Sequence, residues 1–587
     1  MSHRRSKREK VDNNTEHNND NTKVSAKNST DIFEEQKKKK ENQIKSELVV
    51  IANQFASASS DIDKQNAKQH LYVLLKEKDE ELLNLTVDKM LNILLCDSQN
   101  EVKDQINLTK KLELIEQITE KGALMADEYE QNKFHQQFVS SGLDKVIEIM
   151  ITQKMIMKVD KKEKQKHFEE LTQITLVYCE IMKYQSIQQE SILNNIMKVI
   201  EQNLINILQN IEDESKKEIK RQKQREKEKS KKKAEDSRKP DDIEKEMIIQ
   251  ADIEDKWKIL TQKSSRVLNC LAHFAENYVH LLVENQKIHK SLIPLVHINC
   301  PPELKCKKNL VLPNNDSTQQ LQSSIFKALQ IIAGEDEVQI ILVEQHNILA
   351  HMRSLTISFQ QQNSRSTTNA NSIQLYSNSQ HHQINQSKNI NSNLFLSPLV
   401  IEQALKLYDT VLINLIPPKS ERAAQQDVIN ALIALTCYKR NSQYQTQQES
   451  EQEIMNNNTS IIIIEKSLQC LRWMDWYGGS GVQNILVEQR LYIPCLIQSI
   501  SQCGGVLEQR SRVNKAGLTN IEQLFAILSR GGDWCVYQPI WYKSGNEQFE
   551  EQGGLEEVES HLFHSGQTAL DICQTARRAK RGIFKLL

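Results

Sequence analysis

Glycine and proline are scarce in this 587-residue chain: 16 Gly and 10 Pro together make 26 residues, about 4% where about 12% is usual. This scarcity excludes collagen-like and proline-rich chains, and it argues against β-rich folds, which need many tight turns. Only 38% of the residues are hydrophobic and the mean hydropathy is −0.58, which is low for one compact globule. The composition therefore favours long helices around a thin core, separated by polar segments.

Closely spaced cysteine pairs are also missing. The 11 cysteines include no C-x-x-C pair, and the nearest neighbours are Cys300 with Cys306 and Cys495 with Cys503. This spacing predicts neither a zinc cluster nor thioredoxin-like chemistry, so we expect reduced cysteines, no metal site and no cofactor.

Long apolar runs and catalytic motifs are absent as well. The aliphatic runs 48–52 and 431–435 are far too short to span a membrane, and the opening MSHRRSKREK lacks the apolar core of a secretory signal. The chain contains no phosphate-binding G-x-x-x-x-G-K-[ST], no G-x-G-x-x-G, no H-E-x-x-H and no G-x-S-x-G. We therefore expect an intracellular, non-catalytic protein that does not associate with membranes.

Polar segments divide the helical sequence into parts. Residues 216–239 contain 13 Lys/Arg and 5 Asp/Glu with almost no apolar residues, which indicates a solvated single helix, a disordered linker or a basic signal mimic. Asn, Gln and Ser dominate 360–393 and, over a shorter stretch, 441–458, which predicts disordered loops. The predicted divisions are 1–45 (disordered and basic), 46–212 (helical repeats), 213–246 (charged insertion), 247–359 (repeats), 360–393 (disordered loop), 394–575 (repeats) and 576–587 (basic tail).

Apolar residues between these segments recur at helical spacing, as at Val87, Met90, Leu91 and Leu94. The remaining roughly 450 residues would hold near ten armadillo or HEAT units of about 40–47 residues each. Since one such unit cannot bury its apolar face alone, its neighbours must stack on it. We predict an all-α armadillo-repeat solenoid, a right-handed superhelix with a disordered N-terminus and low-complexity insertions.

Three stretches resemble the importin-α (karyopherin-α) family of armadillo proteins. Residues 328–339 (ALQIIAGEDEVQ) look like the family's helix-ending GNIVTGxDxQTQ segment, and residues 478–489 (GGSGVQNILVEQ) are similar to its GGSxxQIxxLVEQ segment. Residues 546–559 (NEQFEEQGGLEEVE) look like its final GGLDKIExLxxH repeat, with His564 following. All three lie in the expected order, and a weaker similarity at residues 57–67 matches the usual first repeat.

The resemblance implies a nuclear-import adaptor, present in cytoplasm and nucleus, that binds the basic localisation signals of cargo proteins. In that family Trp and Asn alternate four residues apart on a concave groove, where Trp rings hold the aliphatic stems of Lys and Arg. An N-terminal basic segment binds importin-β, and no direct nucleic-acid contact is expected. The importin-β-binding residues implied here are Arg4, Arg5, Lys7, Arg8, Lys10, Lys37, Lys38, Lys39 and Lys40.

The Trp–Asn ladder itself is mostly missing, since no Trp precedes Trp257. Aligned by helix ends, Phe326 and Gln330 keep a ring and an amide four residues apart on one helix. Asn269 and His273 keep two hydrogen-bonding groups on one face of another helix. The candidate cargo-binding residues are Phe326, Gln330, Asn269 and His273. Trp473 and Trp476 fall outside the ladder's register, and core packing is the favoured interpretation for both.

Loss of the ladder supports an alternative hypothesis. The chain would then be a non-catalytic armadillo scaffold for protein–protein interaction, for example in the cytoskeleton or a cilium, that has lost recognition of cargo signals. An acidic groove lined by aromatic and amide side chains would favour the adaptor, and a groove filled by aliphatic side chains would favour the scaffold.

Overall fold

The computed structural model places most of the second half of the chain and parts of the first. It describes residues 147–148, 151, 154–155, 163–181, 190–232, 240–284, 288–368, 396–415, 424–438, 451–489, 491–501, 511–531, 536–563 and 569–584. The chain divides into two compact units, Met1–Ile192 and Leu193–Leu587. The basic N-terminal residues implicated in importin-β binding lie outside the described residues, as does most of the predicted 46–212 repeat region.

In the first unit, helix α1 (Lys164–Ile181) is the longest described element. Its buried residues Leu171, Ile174 and Tyr178 are spaced three and four apart, so they lie on one face of the helix. The Tyr178 side chain is fully buried, and its hydroxyl donates a hydrogen bond to Glu148 Oε1 (2.5 Å), so its polar end has a partner.

The rest of the described chain is mostly helical, with short 3₁₀ and π turns, irregular connections such as residues 305–315, and an isolated β-bridge between Ile298 and Leu310. Proline starts α3, α8 and α14 within their first turns, where a missing N–H costs nothing. The helices are α2 (Glu190–Lys232), α3 (Pro240–Glu284), α4 (His289–Leu292), α5 (Asp316–Ile332), α6 (Asp336–Ile340), α7 (Ile348–Thr368), α8 (Pro398–Ile413), α9 (Gln426–Leu435), α10 (Glu451–Tyr477), α11 (Gly479–Glu488), α12 (Tyr492–Ile500), α13 (Ser511–Arg530), α14 (Pro539–Glu551), α15 (Gly554–Ser560) and α16 (Ala569–Ile583).

Helix α5 shows how the sequence dictates these elements. Asn315 caps its N-terminus by accepting a hydrogen bond from the Thr318 backbone N–H (3.0 Å). Its apolar residues with no exposed surface recur at helical spacing: Leu321, Ile325, Ala328, Leu329 and Ile332. The chain then turns at Gly334 and begins α6, so the helix ends where the resemblance to GNIVTG placed a helix end.

Six helices of the second unit stack in chain order. Helix α3 packs on α5, α5 on α8, α8 on α10, α10 on α13 and α13 on α16. Each of the first five supplies at least one leucine with no exposed surface, for example Leu271, Leu329, Leu405, Leu471 and Leu524. We call these six helices the stacked row. The remaining helices pack beside it, with α7 on α8 and α9, α9 on α10, and α12 and α14 on α13.

Side-chain amides also tie successive parts of this unit together. Gln339 donates to the Val411 carbonyl (2.9 Å), Asn520 to the Leu468 carbonyl (2.7 Å) and Gln548 to the Val487 carbonyl (3.1 Å). All three side chains are buried, so each bond satisfies polar groups that water does not reach.

The all-α prediction is confirmed for the described residues, but four predicted segments differ in extent or burial. Residues 213–232 of the charged insertion belong to α2, and Ser215 and Glu218 there are buried (3% and 8% exposed), so this part is not a purely solvated spacer. Residues 360–368 continue α7 rather than starting a disordered loop, and 451–458 begin α10. The predicted tail 576–587 is helical to Ile583, because Ala576, Ala579 and Ile583 are buried against the unit.

The two ends of the Asn/Gln-rich segment are joined by one side chain. Gln362 Nε2 donates to the Leu396 carbonyl (3.3 Å), and Gln362 Oε1 accepts from the Leu396 N–H (2.9 Å). This two-point contact holds Leu396, two residues before α8 begins, against the last two turns of α7. Within the described residues, none of the helices combines the length and apolar character needed to cross a bilayer.

Candidate functional site

The four predicted cargo-binding residues do not form one surface. Asn269 and His273 lie half-buried on α3, and Gln330 lies half-buried on α5, against which α3 packs. Phe326 is only 3% exposed, so its ring belongs to the core and cannot face a bound peptide. The prediction for Phe326 is therefore wrong. A ring and an amide four residues apart share one side of a helix, but this spacing does not show whether the ring faces the core or the surface.

A second candidate surface lies on α10, in the segment Arg472–Tyr477. Trp473 Nε1 donates to Asp409 Oδ1 on α8 (2.8 Å), and Lys466 Nζ binds the other oxygen of the same carboxylate (2.7 Å). Trp476 is 40% exposed. Core packing is thus the wrong interpretation for Trp476, and Trp473 is half-buried with a polar partner rather than enclosed.

The faces of the Trp473 ring are covered by its own neighbours. The Arg472 guanidinium lies 4.4 Å from the ring centroid, and the Tyr477 ring stacks on Trp473 with centroids 6.1 Å apart and planes 20° from parallel. We call Arg472, Trp473, Trp476 and Tyr477 the α10 aromatic surface. It combines the three residue types that are enriched at protein–protein hot spots.

A third feature is a His–Cys cluster, which the sequence spacing did not predict. His297, Cys300, Cys306 and His351 place one potential ligand atom each within 4.8 Å of one another. The first three lie in the connection between α4 and α5, and His351 lies in the first turn of α7. His297, Cys300 and His351 are buried, and Cys306 is partly exposed.

The connection between α4 and α5 is shaped by its backbone. Asn299 and Lys305 adopt the left-handed conformation (φ 50° and 47°), which reverses the chain on either side of Cys300. The Asn299 N–H donates to the Leu310 carbonyl (2.9 Å), and the Leu310 N–H donates to the His297 carbonyl (2.8 Å). The reversal brings Cys306 back toward Cys300, although five residues separate them.

Neighbouring elements hold this connection in place. The Asn309 side chain accepts from the Cys300 N–H (3.0 Å) and donates to the Cys300 carbonyl (3.3 Å). The Val311 N–H donates to Ser215 Oγ on α2 (2.8 Å), and Gln322 on α5 donates to the Ile298 carbonyl (3.1 Å). The donor atoms of the cluster therefore converge on a preformed backbone.

Electrostatics keep the two imidazoles of the cluster neutral. Burial, followed by the nearby His346, lowers the pKa of His297 to about 4. Burial also lowers the pKa of His351 to about 4, assisted by His297 and His346. Burial raises the pKa of the Cys300 thiol, and Cys306 adds to the shift. At neutral pH the cluster therefore presents two uncharged imidazoles and an uncharged Cys300 thiol, the forms from which a metal site is assembled.

No C-x-x-C pair marks this cluster in the sequence. His297 precedes Cys300 by three residues, a ligand spacing that a search including histidine would have flagged. His351 lies 45 residues beyond Cys306, and no local pattern connects them. The expectation of no metal site rested on this spacing alone.

Comparisons with known proteins add little to this picture. No protein-family model and no curated protein sequence matches the chain. A solved structure from work on a phosphorylation switch that controls the interaction between cadherin and β-catenin covers 93% of this chain and 96% of its own, at 7% identity and a TM-score of 0.25. That overlap is too low to support an argument about fold or function.

Proposed function

We propose that this chain is a non-catalytic, armadillo-type scaffold that binds a protein partner on the α10 aromatic surface. The observation that carries the proposal is the exposure of Trp476 beside Arg472, Trp473 and Tyr477 on a stacked row of helices. Large aromatic side chains supply much contact area at little entropic cost, and they dominate the binding energy of many interfaces. The chain-order stacking of the row supports the armadillo-type assignment.

Substitution of the exposed tryptophan tests this proposal. Full-length wild type, Trp476→Ala and a control, Ile540→Ala, would each be used to recover partners for quantitative mass spectrometry. Ile540 is 79% exposed on α14, so the control removes an exposed apolar side chain elsewhere. We expect partners of the wild type to be retained by Ile540→Ala and to fall at least about tenfold with Trp476→Ala, a typical hot-spot loss. Equal recovery by all three proteins would contradict the proposal.

A second candidate is the importin-α-like adaptor, with importin-β and basic cargo as partners and movement between cytoplasm and nucleus. It is supported by the resembling stretches, in which Gly334, Gly478 and Gly553 lie between consecutive helices. At Gly554 a Cβ atom would approach the Phe549 ring to 2.7 Å, which gives one physical reason for the Gly–Gly pair. Against it, Trp473 lies outside the ladder's register, Arg472 already covers its ring, and Lys466 neutralises Asp409.

A labelled basic localisation peptide distinguishes the two candidates. It would be titrated against the full chain at about 0.15 M salt, together with Trp473→Ala and Arg472→Ala. Micromolar or tighter binding that Trp473→Ala abolishes would establish the adaptor. If no protein binds, including Arg472→Ala, which uncovers the Trp473 ring, recognition of ordinary basic signals is excluded and the scaffold remains.

A further inference from the structure

The spacing of the His–Cys cluster matches the corners of a tetrahedral metal site. Zinc lies about 2.3 Å from thiolate sulfur and about 2.0–2.1 Å from imidazole nitrogen, so neighbouring ligand atoms are about 3.3–3.8 Å apart. Cys300 Sγ lies 3.6 Å from His297 Nδ1, and Cys306 Sγ lies 3.3 Å from His351 Nε2. Cys300 Sγ also lies 3.8 Å from the other ring nitrogen of His351. The arrangement needs only small side-chain movements to close around one ion.

The donor types select the metal. Two thiols and two imidazoles suit zinc, while oxygen-seeking ions such as Mg²⁺ and Ca²⁺ prefer carboxylates and carbonyls. Four protein ligands leave no open position for substrate, which is the hallmark of a structural rather than a catalytic site. We propose that the chain binds one structural Zn²⁺, which ties the α4–α5 connection to α7, through His297, Cys300, Cys306 and His351.

The surroundings supply the outer contacts that zinc ligands need. His297 Nε2 lies 2.9 Å from His346 Nδ1, so the far side of the ring is hydrogen-bonded when Nδ1 faces the metal. Asn309 holds the backbone of Cys300 at both its N–H and its carbonyl. An outer shell of this kind orients the ligands before the metal binds.

Binding changes the protonation of the site. Without metal, each thiol can donate a hydrogen bond to a neighbouring imidazole nitrogen. When Zn²⁺ binds, the two Zn–S and two Zn–N bonds replace these contacts, both thiols become thiolates, and two protons leave to solvent. No electron is transferred and no oxidant is needed. Zinc affinity should therefore rise with pH.

The first test uses the wild-type full chain and needs no substitution. The protein would be purified with a reductant, stripped with a chelator, dialysed with Zn²⁺ and assayed for bound metal. We expect one zinc per chain. With Co²⁺ in place of Zn²⁺, we expect the intense visible bands of tetrahedral cobalt together with a thiolate charge-transfer band. An absence of bound zinc, or cobalt bands of the six-coordinate, sulfur-free type, would overturn the proposal.

The second test assigns the ligands. Cys300→Ser/Cys306→Ser should lower zinc content at least tenfold, whereas Cys437→Ser, which changes an exposed cysteine outside the cluster, should retain one zinc. His351→Cys keeps a donor atom and should retain zinc, while His351→Ala should lose it. Circular dichroism would check that each variant is folded. Equal zinc content in the double variant and the wild type would refute the assignment, as would a Cys300–Cys306 disulfide in reductant-treated, zinc-free protein.

Discussion

The His–Cys cluster and the α10 aromatic surface are both built from polar and aromatic side chains, but they are completed in opposite ways. At the α10 aromatic surface, Lys466 binds Asp409 and the Arg472 guanidinium lies over the Trp473 ring. In the cluster, four potential ligand atoms lie within 4.8 Å of one another, and all four side chains are metal-ligand types. The first arrangement is satisfied by its own side chains and leaves Trp476 exposed. The second becomes complete only with a positive ion.

The largest expected effect is on the free energy of unfolding, and it comes from a core residue that belongs to neither region. Phe326→Ala should lower the free energy of unfolding by about 3–5 kcal/mol, because it empties a buried site. Gln330→Ala, a half-buried position one turn along α5, should change it by less than about 1 kcal/mol. Chemical denaturation of both variants checks this. Equal small effects would mean that Phe326 lies at a surface, as the ladder alignment predicted.

Metal removal should act on the cluster and spare α10. Chelation is expected to reduce hydrogen-exchange protection of the Asn299 and Leu310 amides by about 100-fold, since their loop would lose its link to α7. The amides of α10 near Trp473 serve as the internal control and should not change. Protection that is unaltered at Asn299 and Leu310 would show that the backbone contacts alone hold the connection.

The outer contact of His297 gives a sharper test of the same region. His346→Ala leaves all four proposed ligands in place but removes the hydrogen-bond partner of His297. We expect zinc affinity to fall about 10–100-fold with an unchanged stoichiometry of one, measured by competition with a chromophoric chelator. His346→Asn, which can accept a hydrogen bond, should recover part of the affinity. An unchanged affinity in His346→Ala would show that His297 is oriented by its own backbone.

The smallest effect concerns Asp475, a buried carboxyl of α10 close to Tyr492. Burial raises its pKa to about 7, and Gln523 only partly opposes the shift. Because its folded pKa lies above the ordinary value of 3.8, ionisation costs more in the folded chain, so stability falls as pH rises from about 4 and levels off above about 7.

The stability advantage of Asp475→Asn over wild type should therefore grow by about 1–2 kcal/mol as pH rises from about 5.5 to about 7.5. Denaturation at both pH values measures the difference. Asp255→Asn, at an exposed position, serves as the control and should show no such trend. A gain that is equal at both pH values would mean that Asp475 is not the titrating group.

The helical architecture was predictable because low glycine and proline content and apolar spacing are local properties. The buried residues of α5 repeat every three or four positions, and the turn at Gly334 is visible in the sequence. The sites were less predictable. The meeting of His351 with Cys306 depends on how α7 packs, and the burial of Phe326 depends on which face of α5 meets its neighbours. The covering of Trp473 by Arg472 is a matter of rotamers that spacing does not encode.

The two-point contact between Gln362 and Leu396 has a practical consequence for engineering the protein. Because it holds Gln362 and Leu396 together, an insertion between residues 369 and 395 starts and ends between points that this contact already links. A fluorescent protein or an affinity tag inserted near residue 380 should therefore leave the stacked row intact. Such a reporter would follow the full chain in cells while both of its termini stay native.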